Sequence, residues 1–257
     1  MPRILLRRLD KFVRSNLYLY LLVRKAAVFL CRFLLLEDGF SFLRYVRPTN
    51  QSLALDVGSN DGTSIEMIIQ TIPGTEVISF DPVRSPNKER HQVTFKNVAL
   101  SDVPGELIIY SPWIRSHHLS QYSSFDKDKV VSQLCEEFDL DNSEIQLQEV
   151  KSSSITLDSL DLSPFLLKID VEGHELQVLL GSRETLKRTS PIVLVEIQNE
   201  YLYREISLFL ENEGYFHLSW PQQSREPNFA KEGTYSSGQN NYLFIHAKKS
   251  STWSFRQ

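Results

Sequence analysis

The chain has 257 residues, of which 41% are hydrophobic, and it can therefore bury one α/β core with appendages. Its net charge of −4 is unevenly distributed, because residues 1–47 carry ten Lys and Arg against three Asp and Glu, while the rest carries 18 against 29. The acidic majority of the chain would repel phosphate, so a nucleic-acid partner is not expected. The two cysteines and six histidines lack zinc-site spacing, and free thiols fit a reducing compartment such as the cytoplasm.

Residues 1–47 predict a basic, apolar, helical N-terminal extension. Arg24, Lys25 and Arg32 interrupt every apolar window long enough to span a membrane. Two interpretations stay open. The helices can pack on the following domain with their basic side chains in water, or the segment can lie on an anionic membrane surface as a peripheral contact. The main domain is expected to cover residues 48–257.

Residues 53–62 predict a buried parallel strand followed by a ligand-binding loop. Gly58 and Gly62 allow this loop to turn tightly and to bring its backbone amides close to a ligand. A second strand is predicted at 76–80, with Asp81 at its carboxyl end. A carboxylate at that point can accept hydrogen bonds from two ribose hydroxyls, so the pattern predicts a nucleoside-cofactor site.

The loop sequence Gly-Ser-Asn-Asp-Gly indicates which class of nucleoside cofactor the site can bind. It has neither the G-x-G-x-x-G spacing of a dinucleotide site nor the lysine of a P-loop. No Lys or Arg lies between residues 47 and 84, so a triphosphate would meet three uncompensated acids, Asp56, Asp61 and Asp81. A cationic ligand without phosphate, such as S-adenosylmethionine, fits better. The structural alternative is a strand–turn–helix in which the glycines only make the bend.

The rest of the chain alternates predicted strands and helices, which indicates an α/β fold with a mostly parallel sheet. Further strands are predicted near 93–98, 105–110, 165–170, 192–197, 214–219 and 241–247, and helices near 62–70, 173–180, 183–188 and 200–212. Ligands of such sheets bind at the carboxyl ends of the strands. Four acids are predicted at or near such ends: Asp56, Asp81, Asp170 and Glu196.

Several segments resemble the FkbM family of S-adenosylmethionine-dependent methyltransferases. They are Leu53–Gly62, Phe80–Pro82, Asn97–Asp102, Ser154–Leu160 and, most specifically, Lys168–Glu175. The resemblance covers about 51–200 and 241–247. It implies a class I, Rossmann-like sandwich, with a mostly parallel seven-stranded sheet and an antiparallel edge formed by the last two strands. The family more often has Glu at the position of Asp81.

The resemblance also implies a function and a set of cofactor contacts. The expected reaction is S-adenosylmethionine-dependent O-methylation of a hydroxyl on a sugar, glycan or natural-product acceptor. The loop around the methionine part, with Asp56 near its amino group, comprises Asp56, Gly58, Asn60, Asp61 and Gly62. Asp81 is expected to bind the ribose. Candidates for the adenine wall are Val98, Ala99 and Ser101.

Methylation of a hydroxyl needs in-line positioning and a base. His174 is the first candidate base, because its ordinary pKa suits neutral pH, and Glu196 is the second. Asp170 and Glu172 are expected to face the cofactor or the acceptor. These residues also have structural interpretations without a chemical role. His174 can be a helix-surface residue, and Glu172 can be an acid that stabilises a helix N-terminus. No metal site is predicted, although Asp170 and Glu172 could hold magnesium.

Residues 111–148 do not align with the family. Their aromatic and hydrogen-bonding side chains, including Trp113, His117 and His118, suit a sugar face and predict an acceptor lid. A decorated surface loop is the alternative. Two other function classes are alternatives: a non-catalytic adapter with a methyltransferase fold that binds a nucleoside or a partner protein, and a nicotinamide oxidoreductase, which the glycine spacing disfavours. The oligomeric state is left open.

Overall fold

The computed structural model describes residues 17–34, 40–46, 52–83, 91–218, 233–236 and 239–249. In chain order the strands are β1 Leu53–Val57, β2 Glu76–Phe80, β3 Val93–Lys96, β4 Ala99–Leu100, β5 Gly105–Ile114, β6 His117–His118, β7 Ile145–Ile155, β8 Leu166–Ile169, β9 Ile192–Glu196, β10 Tyr215–Leu218 and β11 Asn241–His246. The helices are α1 Leu17–Leu34, α2 Thr63–Thr71, α3 Lys127–Phe138, α4 Glu175–Leu180, α5 Arg183–Thr189 and α6 Glu200–Asn212.

Seven strands form the central sheet, in the order β3-β2-β1-β8-β9-β11-β10. The first five of these are mutually parallel, whereas β11 runs antiparallel to both β9 and β10. The predicted α/β fold, with a mostly parallel seven-stranded sheet and an antiparallel edge, is therefore confirmed. Its parallel strands are apolar on both sides because helices and turns cover both faces.

The two faces of the sheet bury separate apolar clusters. On one face Leu55 and Val57 of β1 pack with Leu210 of α6 and with residues of α4 and α5. On the other face Ala54 packs against α2, for example against Ile68. Side chains alternate along a strand, so Asp56 lies on the same face as Ala54. The carboxyl ends of β1, β2, β8 and β9 consequently meet at one edge of a rigid sandwich.

The strand predicted near 105–110 belongs to a second sheet, with the order β4-β7-β5-β6. Its main part is the long antiparallel hairpin of β5 and β7, and α3 lies between these two strands in the chain. The sequence analysis missed β7 because most of its side chains are polar and only partly covered. The predicted lid, 111–148, is thus the distal half of this hairpin together with β6 and α3. We call residues 99–155 the insertion.

The N-terminal extension contributes α1 and a 3₁₀ turn at Phe40–Tyr45. Phe40 and Phe42 are fully buried in the cluster around α2. One side of α1, including Leu17 and Leu21, packs on the apolar cluster of the insertion. That side of α1 thus packs on the insertion, and the choice between packing and membrane contact for the extension stays a prediction. The predicted helical content of 1–16 lies outside the described residues. None of the described helices is both long and apolar enough to cross a membrane.

Candidate functional site

The turn after β1 depends on a glycine at position 58. Gly58 has a φ of +82°, and its amide donates to the carbonyl of Phe80 over 2.8 Å, which ties the loop to β2. A Cβ at this position would lie 1.7 Å from the carbonyl oxygen of Asp170. Only glycine fits, because the backbone that follows β8 passes directly over the loop.

Asp81 holds the loop from the end of β2. Its Oδ2 accepts from the amide of Asn60 over 2.7 Å, and its Oδ1 accepts from the amide of Val83 over 2.9 Å. An ionised carboxylate has about four acceptor positions, so it can accept from ligand hydroxyls as well as from these two amides. Asn60 has a φ of +43°, a conformation that asparagine tolerates better than most residues.

The next two residues of the loop shape the start of α2. Asp61 accepts from the amide of Thr63 over 3.0 Å and also from its hydroxyl. Gly62 has a φ of +80°, and its amide donates to the carbonyl of Ser59 over 2.7 Å. Asp61 and Gly62 thus fix the conformation of the loop that carries Asn60, and neither of them lines the cavity beside this loop.

A cavity of about 580 Å³ opens beside the carboxyl ends of β1, β2, β8 and β9. Of the predicted site residues it is lined by Gly58, Asn60, Asp81, Ala99, Asp170, Glu172 and Glu196. The others, which do not line it, are Asp56, Asp61, Gly62, Val98, Ser101 and His174. Phe80, Val83 and Leu100 add apolar surface near Asp81 and Ala99. The structure therefore brings seven of the thirteen predicted site residues, from both the donor side and the acceptor side, to one cavity.

Asp56 lies beneath the loop, fully buried. Its Oδ2 accepts from Ser64 Oγ over 2.7 Å, and its Oδ1 lies 3.4 Å from Lys168 Nζ. Burial raises the pKa of Asp56, while Lys168 opposes that rise. Lys168 Nζ also lies 3.2 Å from Asp170 Oδ2 and donates to the carbonyl of Gly58 over 3.2 Å. This lysine thus joins β1, the glycine loop and the end of β8.

The carboxyl groups of Asp170, Glu172 and Glu196 interact with one another in the lining of the acceptor side of the cavity. The negative charge of Asp170, followed by burial and a hydrogen bond with Asp170, raises the pKa of Glu196 to about 10. Burial, followed by the charge of Asp170, raises the pKa of Glu172 to about 7. At neutral pH Glu196 is therefore a proton donor toward Asp170, and Glu172 holds its proton to a higher pH than an ordinary glutamate does.

Glu172 is held by side chains from outside its own loop. Its Oε2 accepts a short hydrogen bond from Gln198 Nε2, and its carbonyl accepts from Ser124 Oγ over 2.8 Å. Lys129 Nζ of α3 donates to the same carbonyl over 3.3 Å and to Gln198 Oε1 over 2.6 Å. The backbone of Glu172 has a φ of +55°, and these contacts support that uncommon conformation.

His174 lies behind the loop. Its Nε2 is 2.9 Å from Ser101 Oγ, and its ring stacks on Phe125 with centroids 4.3 Å apart. Burial lowers its pKa, against the opposing charge of Asp102. The two predicted residues His174 and Ser101 are thus partners of each other at the junction of the insertion and α4, while Ala99 alone of the predicted adenine-wall residues lines the cavity.

The insertion closes the cavity with only part of the predicted lid. Ser120 donates to Asn60 Oδ1 over 2.9 Å, and Tyr122 and Phe125 line the wall. Trp113 and His118 instead stack on each other, with centroids 4.6 Å apart, and do not line the cavity. His117 packs against the ring of Tyr18 of α1. The lid's contribution to the cavity therefore comes from residues 120–137.

Several lining residues were missed by the sequence analysis. Tyr20 reaches the cavity from α1, and its hydroxyl lies 2.9 Å from that of Tyr122. Gln198, just after β9, and Asn240, just before β11, also line the cavity. Nothing in the sequence relates these positions before the fold is known. Lys168 did carry a signal, because a lone lysine inside the apolar strand at 165–169 needs a buried partner. Within the ranges given above, no group of three or more His, Cys, Asp or Glu could hold a metal ion.

Two solved structures are similar to the chain at low sequence identity. Methyltransferase FkbM from Methylobacillus flagellatus KT is 16% identical with a TM-score of 0.46, and the alignment covers 82% of this chain and 48% of that one. The chain thus spans about half the length of that protein. Precorrin-6y C5,15-methyltransferase from Geobacter metallireducens GS-15 is 11% identical with a TM-score of 0.35, and 81% and 86% of the two chains are covered. None of the curated proteins matches the chain.

The family of the chain is shown by a sequence-family model rather than by these two structural similarities. The model of the Methyltransferase FkbM domain matches residues 56–216, which is more than half of the chain. The matched range begins at Asp56, includes the glycine loop and the carboxyl groups of Asp170, Glu172 and Glu196, and ends in β10. The chain belongs to the FkbM methyltransferase family.

Proposed function

We propose that the protein transfers a methyl group from S-adenosylmethionine to a hydroxyl of a sugar, glycan or natural-product acceptor. The observation that carries this proposal is the arrangement of one cavity. Gly58, Asn60 and Asp81 line one side of it, and the carboxyl groups of Glu172 and Glu196 line the other. Such an arrangement can hold a nucleoside donor and a protic acceptor against each other.

The donor side of the cavity fits S-adenosylmethionine in chemistry and in shape. Gly58, Asn60 and Asp81 bring the loop after β1 and the end of β2 to the wall of the cavity. Asp81, organised by two amides, is suited to ribose hydroxyls, and Ala99 and Leu100 offer apolar surface for a base. Asp81 and Asp170 give the lining an acidic character that favours a cation. When bound, S-adenosylmethionine supplies an electrophilic methyl group on a sulfonium centre.

The acceptor side provides a base. Glu172 has a pKa of about 7, the range in which a general base combines ionisation with sufficient basicity at neutral pH. Glu196 donates its proton to Asp170, so its remaining acceptor capacity can receive a hydrogen bond from an acceptor hydroxyl. We therefore assign the role of base to Glu172, ahead of His174, whose imidazole is engaged by Ser101 outside the lining.

The remaining lining suits a polyhydroxylated acceptor. Tyr122 and Phe125 offer ring faces, and Gln121, Gln133 and Glu137 offer hydrogen-bonding groups on the same insertion. Rings beside polar side chains are the usual way in which a protein binds a sugar, since a sugar has apolar faces and polar edges. This mixture is what favours a sugar or glycan over an apolar substrate.

The donor assignment is tested by calorimetric titration of S-adenosylhomocysteine into the full chain. We expect micromolar binding that Asp81→Asn weakens at least about tenfold, because ribose hydroxyls lose a charged acceptor. Asp158→Asn is the matched control. Asp158 also accepts from two backbone amides, those of Glu184 and Thr185, but lies outside the cavity lining. Absence of binding by folded protein would contradict the proposal.

The transfer step is tested with methyl-labelled donor and a panel of sugar and polyol acceptors. We expect labelled product whose rate rises with pH up to about 7 in the wild type, and a rate at least about 100-fold lower in Glu172→Gln. Binding of the donor without transfer to any hydroxyl acceptor would instead support the adapter alternative. Transfer that Glu172→Gln leaves unchanged would remove Glu172 from the role of base.

A further inference from the structure

The helix α1 has two sides with different surroundings. On one side Leu17, Tyr20 and Leu21 pack against the insertion, and Tyr20 reaches the cavity. On the other side Leu22 is 67% exposed, and Tyr18, although its ring meets the ring of His117, is still 62% exposed. Large apolar side chains that are this exposed on one side of a helix make that side a candidate contact surface.

The exposed side continues along the helix. Tyr18, Leu22 and Ala26 are exposed and follow one another at intervals of four residues, so they form one row. Val23 and Lys25, also exposed, stand beside the row, and we call Tyr18, Leu22, Val23, Lys25 and Ala26 the outer face of α1.

The charge around this face is positive. Lys25 borders the apolar row, and the sequence of α1 contains three basic residues and no acidic one. The whole segment 1–47 carries a net charge of +7, opposite in sign to the rest of the chain. An apolar row flanked by basic residues is complementary to a surface that is apolar beneath an anionic layer.

A second helix shows that exposure alone does not make such a surface. On α6, Tyr201 is 73% exposed and Leu208 is 58% exposed. That helix contains three glutamates and one arginine, so its surface would be repelled by anionic groups. The charge, rather than the exposed apolar area, is what distinguishes the outer face of α1.

We propose that the outer face of α1 docks on the surface of an anionic lipid bilayer. Leu22 and Tyr18 enter the boundary between headgroups and acyl chains, and Lys25 stays at the level of the lipid phosphates. Since Tyr20 on the opposite side of the same helix lines the cavity, docking brings one wall of the cavity next to the membrane surface. This inference does not depend on the identity of the methyl donor or acceptor.

Flotation of the purified full chain with lipid vesicles tests the proposal. We expect binding to vesicles of 30% phosphatidylglycerol in phosphatidylcholine, at least about tenfold weaker binding to phosphatidylcholine alone, and weakening by salt. Leu22→Glu should reduce binding to the anionic vesicles at least about tenfold, because it places a charge in the apolar row. Lys25→Glu, which alters no apolar residue, should weaken binding in the same direction.

Leu208→Glu is the matched control, since it makes the same change at a comparably exposed position on α6 and should leave vesicle binding unchanged. Circular dichroism of each variant shows that the fold is retained. Binding to anionic vesicles that survives both Leu22→Glu and Lys25→Glu would overturn the proposal. Absence of binding to anionic vesicles would also overturn the proposal. If sedimentation then showed a dimer that Leu22→Glu dissociates, the outer face of α1 would be an interface between two copies of the chain instead.

Discussion

Lys168 and Asp56 are direct neighbours in the register of β8 and β1, and the lysine Nζ lies 3.4 Å from the Asp56 Oδ1. Both side chains are buried, on the face of the sheet that α2 covers. The same Nζ reaches the carboxylate of Asp170 and the carbonyl of Gly58. One buried cation therefore holds the strand, the glycine loop and a carboxyl group of the cavity in a fixed relation.

Lys168→Met should lower the free energy of unfolding by about 3–5 kcal/mol, because it leaves Asp56 buried without its cationic partner. The measurement is chemical denaturation followed by circular dichroism. In the double variant with Asp56→Asn, the loss should be smaller than the sum of the two single losses by about 1–3 kcal/mol. Simple additivity would show that the two groups do not stabilise each other.

Lys187→Met is the control for the loss of a lysine. Lys187 Nζ lies 3.0 Å from Glu184 Oε1, a shorter distance than that between Lys168 and Asp56, but on the exposed surface of α5. Exposed pairs contribute about 0–1 kcal/mol, so this variant should unfold at nearly the wild-type denaturant concentration. The contrast isolates burial, rather than ion-pair distance, as the source of the effect.

Gly58→Ala should destabilise the protein more than Gly74→Ala and should abolish binding of S-adenosylhomocysteine. Both glycines have nearly the same backbone conformation, with φ of +82° and +84°. A Cβ at Gly74 meets nothing within 4 Å, so Gly74→Ala costs only the strain of the left-handed conformation, about 1–2 kcal/mol. At Gly58 the Cβ would displace the Asp170 carbonyl. Equal losses in the two variants, measured by denaturation, would contradict this account.

The difference between these two glycines shows what the sequence could and could not predict. The strand, the turn and the acid at the end of β2 follow from local patterns, and those elements were predicted within a few residues. The contact of Gly58 with Asp170 joins positions that are far apart in the chain, and no local pattern contains it. Likewise the hydrogen bond between Ser101 and His174 could not be foreseen from the helix start at which His174 lies. The strand β7 was not predicted from the sequence, because alternation of apolar and polar residues appears only where one face of a strand is buried, and most of β7 is exposed or partly covered.

Lys129→Met should loosen the part of the insertion that lines the cavity. Lys129 Nζ connects α3 to Gln198 Oε1 and to the carbonyl of Glu172. We expect amide hydrogen exchange in residues 120–138 to become about five times faster, which corresponds to about 1 kcal/mol for the lost hydrogen bonds. Lys127→Met, at an exposed position on the same helix, should leave exchange unchanged. Equal exchange in the two variants would show that Lys129 does not hold the insertion in place.

Glu172 should make the stability of the protein depend on pH in a defined direction. Burial and the charge of Asp170 raise its pKa from 4.5 to about 7, so between these values the folded chain keeps a proton that the unfolded chain has lost. Its contribution to the free energy of unfolding therefore falls as pH rises through this range. The fall amounts to at most about 3 kcal/mol, since one pKa unit corresponds to about 1.4 kcal/mol.

Glu172→Gln removes this contribution, because an amide does not titrate. Relative to the wild type, the variant should therefore gain stability as pH rises from 5 to 8, while burial still raises the pKa of Glu175, and the charge of Asp170 and burial that of Glu196, in both proteins. Urea denaturation at pH 5, 6, 7 and 8 measures the difference. Glu149→Gln, a change of an exposed strand residue, should follow the wild type across this range. If Glu172→Gln and the wild type also run parallel, Glu172 titrates near its ordinary pKa and cannot be the neutral-pH base.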